Sequence, residues 1–202
     1  MEKTIHRPKI FVSRPVAQEA LDLLSQHTEI TVWPGAMPPS RQLFLESVRE
    51  IEGLFSLITE TVDKEVMDAA PKLRVISNMA TGTDNIDVEE ATRRGIPVGR
   101  TPGILAETCA DFAFALILNI ARRITEAHQL VRAGEWLTWG PSILLGSDIH
   151  ESTLGIIGMG QIGMGVAKRA TGFDMNVLYY SRSRKIEIES EFNAQFTSNL
   201  DY

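Results

Sequence analysis

An apolar run that ends in three spaced glycines constrains this chain more than any other feature: Thr153-Leu-Gly-Ile-Ile-Gly158-Met-Gly160-Gln-Ile-Gly163. Thr153 to Ile157 reads as a buried strand, Gln161 to Thr171 as a helix, and Met175 to Tyr180 as a second strand. Strand, glycine turn, helix and strand in that order are the context in which G-x-G-x-x-G binds a dinucleotide. Gly158 can leave the strand through a turn that a Cβ would hinder. Gly160 admits a pyrophosphate close to the backbone, and Gly163 lets the helix lie near the strand. The free N–H groups near Gln161 and Ile162 would face the phosphates. The expected cofactor contacts are therefore Gly158, Met159, Gly160, Gln161, Ile162 and Gly163. The competing reading is a glycine-rich turn that holds no ligand.

The end of the second strand bears on which dinucleotide fits. NAD-binding versions place an acidic residue roughly 20 residues beyond the glycines, on the ribose 2′-hydroxyl. Here Ser181 stands eighteen residues past Gly163, followed by Arg182, Ser183 and Arg184, with no carboxylate between Asp174 and Glu187. A hydroxyl with guanidinium groups suits a 2′-phosphate, because Arg pairs with phosphate oxygens through two parallel hydrogen bonds. One such contact is worth about 1.5–3 kcal/mol. NADP(H) is accordingly favoured over NAD(H), with Ser181, Arg182, Ser183 and Arg184 as the discriminating contacts. The alternative is a solvated basic turn.

The chain has 202 residues, a net charge of −6 and 44% hydrophobic residues, an ordinary globular balance. The acidic excess argues against nucleic acid as a partner. Cys109 is the only cysteine, which excludes an intrachain disulfide and a cysteine-based metal site; it reads as a small buried side chain. No metal site is expected. The most apolar run, Phe112 to Ala121, is too short to span a bilayer and precedes Arg122-Arg123. Met1 to Lys9 is polar, without a signal-peptide core. No membrane partner and a reducing cytoplasm are expected.

Along the first hundred residues, strands alternate with helices. Strands are expected at Lys9–Ser13, Glu29–Trp33, Gly53–Ile58, Leu73–Asn78 and Ile96–Gly99. Helices are expected from Val16 to Gln26 (with Ala17, Ala20, Leu21 and Leu24 on one face), from Pro39 to Glu50 behind an Ser40 N-cap, from Thr61 to near Pro71, and from Asn85 to Arg94, where Gly95 ends it. This alternation implies parallel βαβ units in a doubly wound sheet. Ile104 to Ala133 reads as one long helical stretch, broken only weakly, with Phe112, Ala115, Leu116, Asn119 and Ile120 at helical spacing. Gly134 to Ser152, with Trp136, Trp139, Pro141 and Gly146, reads as an irregular arm.

Several motifs in order resemble the D-2-hydroxy-acid dehydrogenase family, and its glyoxylate/hydroxypyruvate reductase branch most. They are Ala80-Thr-Gly82-Thr-Asp84-Asn85-Ile-Asp87 with Glu89 to Pro97, Thr101-Pro-Gly103, Ala110-Asp111-Phe-Ala-Phe-Ala-Leu, Gly134-Glu-Trp136, the glycine loop, and Tyr179 to Lys185. The resemblance implies an α/β protein: a flavodoxin-like parallel-sheet substrate domain (residues 1–103), a helix and dimer arm (104–152), and the first half of a Rossmann dinucleotide-binding domain (153–202). It implies reduction of a small 2-oxo acid, glyoxylate or hydroxypyruvate, by a reduced nicotinamide. It places the substrate carboxylate on the amides of Thr81 and Gly82, Leu57 at the substrate pocket, Thr108 near the cofactor, and Trp136 and Trp139 in a homodimer contact. A glycine-containing turn can point N–H groups at an anion, which agrees.

The family's catalytic Arg, Glu and His lie beyond the second Rossmann strand, and no position here matches them. The chain therefore reads as truncated, with little or no turnover expected of it alone. Its histidines, His6, His27, His128 and His150, read as surface residues. The last strand is expected to leave an unpaired apolar edge. Glu151 and Asp174 stand where the family favours Gly; Asp tolerates a left-handed turn. The alternative to an enzyme by descent is a non-enzymatic nucleotide-binding or subunit-pairing module.

Overall fold

The computed structural model describes residues 6–200, so Met1–Ile5 of the polar opening and the last two residues lie outside the described part. The chain divides into two compact units, Met1–Pro102 and Gly103–Tyr202.

The first unit is built on five strands: β1 (Lys9–Val12), β2 (Glu29–Val32), β3 (Gly53–Leu57), β4 (Val75–Met79) and β5 (Val98–Gly99). All pair in parallel in the order β2-β1-β3-β4-β5. That is the flavodoxin-like order, in which the sheet reverses direction of growth beside its first strand. Four helices connect the strands: α1 (Gln18–Ser25), α2 (Arg41–Ser47), α3 (Lys64–Ala69) and α4 (Val88–Arg93). Three of them begin at side-chain caps. Ser40, Asp63 and Asp87 accept hydrogen bonds from the N–H groups of Leu43, Val66 and Glu90, which satisfies donors the helix leaves unpaired. Gly95, at φ +70°, ends α4. Phe11, Leu54 and Ile76 from the strands meet Phe44, Val48, Val66, Met67 and Ala91 from the helices in one buried core. No residue of α1 is fully buried, and an apolar groove lined by Ile10, Leu23, Leu24, Phe55 and Val75 stays open beside it.

The second unit holds α5 (Ala106–Ala121), α6 (Ile124–Arg132), β6 (Thr153–Ile157), α7 (Gln161–Ala170), a 3-10 turn at Thr171–Phe173, β7 (Asn176–Tyr180), α8 (Ile186–Glu191) and β8 (Ala194–Phe196). The strands are parallel in the order β6-β7-β8. This βαβαβ unit is one mononucleotide-binding half of a Rossmann fold.

Four expectations need correction here. The stretch 104–133 is not one weakly broken helix: it parts at Arg122–Arg123, where Arg123 turns left-handed at φ 53°. On α5 the buried face is Ala110 and Phe114, with Ala113, Ile117, Leu118 and Ala121 beside them. Phe112, Leu116 and Ile120, expected as the packing stripe, are exposed. The helix is apolar on both sides, so periodicity could not choose between them. Cys109, one residue outside the buried face, is exposed rather than buried. Finally, the far edge of β7 is not bare. β8 pairs with it from Val177↔Ala194 to Tyr179↔Phe196, and α8 packs Ile188 into the core.

Glu151 and Asp174 both hold left-handed turns, at φ 58° and 53°. The Glu151 N–H donates to the Phe173 carbonyl at 3.0 Å, so the turn before β6 keeps its path although Glu stands in it. Among the described residues no helix is long and apolar enough to cross a membrane.

Candidate functional site

In the second unit, β6 runs straight into the glycine loop. Gly158 turns at φ +99°, and its N–H donates to the Tyr180 carbonyl at 2.8 Å, which ties the loop to β7. Met159 sends its side chain into the core, 1% exposed, so it offers a ligand no side-chain contact. Gly160 is the N-cap of α7, and no side chain caps that helix. A Cβ built on Gly160 would meet nothing within 4 Å, whereas one on Gly163 would overlap the Gly158 carbonyl oxygen. The two glycines thus have different causes: Gly163 is required by the helix lying on the strand, and Gly160 borders open space. Gln161 and Ile162, the first residues of α7, are exposed. Uncapped N–H groups, a helix dipole and an open glycine make this loop a cradle of a kind suited to an anion.

The cradle is braced from behind. A Cβ on Gly165 would come within 2.8 Å of the Ala110 Cβ, so α7 and α5 approach closely. Arg169 on α7 donates through Nε to Asp111 at 2.6 Å and reaches Glu107 at 2.9 Å, both on α5. Thr108 rides exposed on the first turns of that helix.

Past β7, Ser181 is half-buried and Arg182, Ser183 and Arg184 are exposed. Arg184 forks onto Glu189 of α8, Nε to Oε1 at 2.8 Å and Nη2 to Oε2 at 2.7 Å. Glu189 also accepts the Tyr179 hydroxyl at 3.0 Å, and that hydroxyl accepts the Lys185 N–H at 2.8 Å. Hydrogen bonds from Arg184 hold the Glu189 carboxyl below its ordinary range, while burial pushes the Tyr179 phenol up. Among the described residues Arg182 has no such partner.

In the first unit, the register Leu57↔Met79 brings the carboxyl ends of β3 and β4 side by side. A buried amide relay fixes the loops that leave them. The Asn78 amide donates to the Gly82 carbonyl at 3.1 Å and to Asn85 Oδ1 at 2.9 Å, and the Ser56 hydroxyl donates to Asn78 Oδ1 at 3.1 Å. The Asn85 amide donates to the carbonyls of Leu57, at 3.0 Å, and Glu60, at 2.8 Å. Glu60, only 4% exposed, accepts from the Ser13 hydroxyl at 2.6 Å and the Leu57 N–H at 2.9 Å. Arg100 takes the Thr81 carbonyl at 2.5 Å. With both carbonyls occupied, the N–H groups of Thr81 and Gly82 have no acceptor among the described residues. Two free amides on a pinned loop at the carboxyl end of a parallel sheet are suited to an anion.

Comparison with known proteins fits both halves. The sequence profile described as D-isomer specific 2-hydroxyacid dehydrogenase, catalytic domain, matches residues 10–198. The chain belongs to that family. A glyoxylate reductase of Thermococcus kodakarensis is 48% identical over 199 residues, covering 96% of this chain and 60% of that protein. One of Aeropyrum pernix is 47% identical, covering 96% and 59%. Among solved structures, the TT0316 protein of Thermus thermophilus superposes with a TM-score of 0.87 at 39% identity, over 94% of this chain and 60% of its own. A glyoxylate reductase of Paecilomyes thermophila gives 0.78 at 28% identity, over 95% and 60%. The chain spans about 60% of the length of the curated relatives it matches.

Within this 2-hydroxyacid dehydrogenase chain, each expected residue has a definite place. Gly158 to Gly163 form one cradle; Ser181 to Arg184 form the loop after β7; Leu57, Thr81 and Gly82 share one end of the first sheet. Sequence reasoning missed Glu60, Asn78, Asn85 and Glu189. Glu60, Asn78 and Asn85 take partners 47, 22 and 28 residues away, which no local spacing reveals, and the Arg184–Glu189 pair, five residues apart, joins a loop to a short helix rather than lying on one helix face. Of the histidines, His150 lies exposed between Glu151 and Asp174, at 3.5 and 3.6 Å. Among the described residues no group of three His, Cys, Asp or Glu could hold a metal.

Proposed function

We propose that this chain carries the coenzyme cradle and the substrate-carboxylate loop of a reductase that converts a small 2-oxo acid, glyoxylate or hydroxypyruvate, to its 2-hydroxy acid. The supporting observation is the open, uncapped start of α7 beside Gly160, joined to a loop whose Arg182 carries an unpartnered charge. The backbone from Gly158 to Gly163 would hold the pyrophosphate, and Ser181 to Arg184 the ribose end, with NADP(H) preferred to NAD(H). When bound, the reduced nicotinamide supplies the hydride. The residues here bind and orient: the Thr81 and Gly82 amides hold the carboxylate of the acid, Leu57 borders its pocket, and Thr108 lies toward the coenzyme. None of residues 1–202 is assigned as the proton donor, since His150 is exposed and engaged by two carboxylates. Titration of the purified chain with NADPH and NADH, followed by calorimetry, tests this reading. Tighter binding of NADPH by about tenfold is expected from one charge-assisted contact. Equal binding, or none, overturns it. Oxidation of NADPH by glyoxylate on this chain would overturn the assignment of no proton donor.

A second reading, subunit pairing, has its own support. Phe112, Leu116 and Ile120 on α5 and Trp136, Leu137 and Trp139 in the arm are all exposed, and large apolar side chains left open to water mark association surfaces where they adjoin. We assign this surface to a homodimer contact. The lone cysteine and the absence of a disulfide framework support a reducing, cytoplasmic setting.

A further inference from the structure

The loop after β7 carries two arginines that sequence cannot tell apart, and the structure treats them differently. Arg184 is anchored three ways. Its guanidinium forks onto Glu189 at 2.8 and 2.7 Å and lies 6.0 Å over the Phe196 ring, and Glu189 is itself fixed by the hydroxyl of Tyr179, a residue 0% exposed. Arg182, two residues earlier, is exposed and unpartnered among the described residues.

We propose that Glu189 withholds Arg184 from the coenzyme, so that recognition of a 2′-phosphate falls to Arg182 and Glu189 sets its strength. The proposal rests on the dinucleotide reading above. Its physical basis is an exchange. For Arg184 to reach a phosphate it must surrender a bidentate carboxylate contact and its ring contact, and the carboxylate it leaves then repels the incoming anion. The gain and the loss are of one kind and nearly cancel. Arg182 surrenders only water, so its contact counts in full. Arg184 thereby stays within the protein, joining the loop to α8 and β8 through Glu189 and Phe196.

Calorimetric titration with 2′,5′-ADP and with 5′-AMP isolates the effect, because the two probes differ only in the 2′-phosphate. The readout is the ratio of their affinities. A general loosening of the loop weakens both probes and leaves the ratio unchanged. In the wild-type chain 2′,5′-ADP should bind more tightly. Arg182→Ala should lower the ratio about tenfold or more, the span of one charge-assisted hydrogen bond, whereas Arg184→Ala, which bares the Glu189 carboxylate, is read in the Glu189→Gln background. Glu189→Gln should raise it several-fold by releasing Arg184, and combining Glu189→Gln with Arg184→Ala should return it to the wild-type value. A ratio well below the wild-type value in the double variant, or no rise in Glu189→Gln, overturns the proposal while the dinucleotide reading stands. Failure of the wild-type chain to bind 5′-AMP, 2′,5′-ADP and NADPH removes that reading and the proposal with it.

Discussion

Single residues in this chain differ in how much freedom the fold leaves them. Gly163 has none. A Cβ there would overlap the Gly158 carbonyl oxygen, a backbone atom that cannot swing aside. Gly163→Ala should therefore cost about 1–3 kcal/mol, the usual penalty of overpacking, and should weaken any dinucleotide binding through the displaced loop. Chemical denaturation checks the first effect; an unchanged midpoint would mean that the strand–helix contact yields. Glu151 is the reverse case. It holds φ 58° at an exposed turn where its side chain has only a 3.5 Å contact with His150. Glu151→Gly should relieve a left-handed strain of about 1 kcal/mol and raise the melting temperature, with Asp174→Gly gaining less because Asp tolerates that conformation better. A lower melting temperature for Glu151→Gly would contradict the account.

Elements add effects that no single residue shows. Glu90 on α4 receives Arg93 at 2.7 and 2.6 Å and Arg94 at 2.7 Å, and Arg94 also holds Asp68 of α3. Hydrogen bonds from Arg93 and then Arg94 pull the Glu90 carboxyl from 4.5 to about 2, and Asp68 is lowered by Lys64 and Arg94. A carboxyl depressed in the folded state lends stability above its unfolded value and loses it as pH falls through the folded one. The first unit should lose stability between about pH 4.5 and pH 2. Glu90→Gln should flatten that slope, as followed by circular dichroism on acid titration. An unaltered slope would show that other carboxyls govern acid unfolding. The elements themselves were largely legible in the sequence. Ser40 before an apolar-periodic run and Gly95 after one are local signals, and both mark the observed helix ends. β8 was not legible, since Ala194-Gln-Phe196 is too short for alternation to register and becomes a strand only through its pairing with β7. The break at Arg123 was hidden because neither Pro nor Gly marks it.

At the level of the whole molecule, a parallel doubly wound sheet follows from strand–helix alternation and its flavodoxin-like form from the family resemblance, whereas the buried relay of Ser56, Asn78 and Asn85 follows from neither. Alternation is a short-range pattern; the relay joins the ends of two strands and needs the folded sheet to exist. The glycine motif was readable because its three glycines lie within six residues of one another. The exposed apolar residues of α5 and the arm belong to this scale as well. If they meet in a homodimer, replacing Leu137 and Trp139 by Ser should shift the chain toward a monomer in analytical ultracentrifugation, with little change in the circular dichroism of either unit. A wild-type chain that is monomeric at every concentration would remove that contact. Two of the three tryptophans, Trp136 and Trp139, are in that arm and open to water, while Trp33 donates its indole N–H to the Met37 carbonyl. The protein thus carries its own optical reporter. Ultraviolet emission from the arm indoles should move to shorter wavelength as dilution is reversed, reading out self-association without any added label.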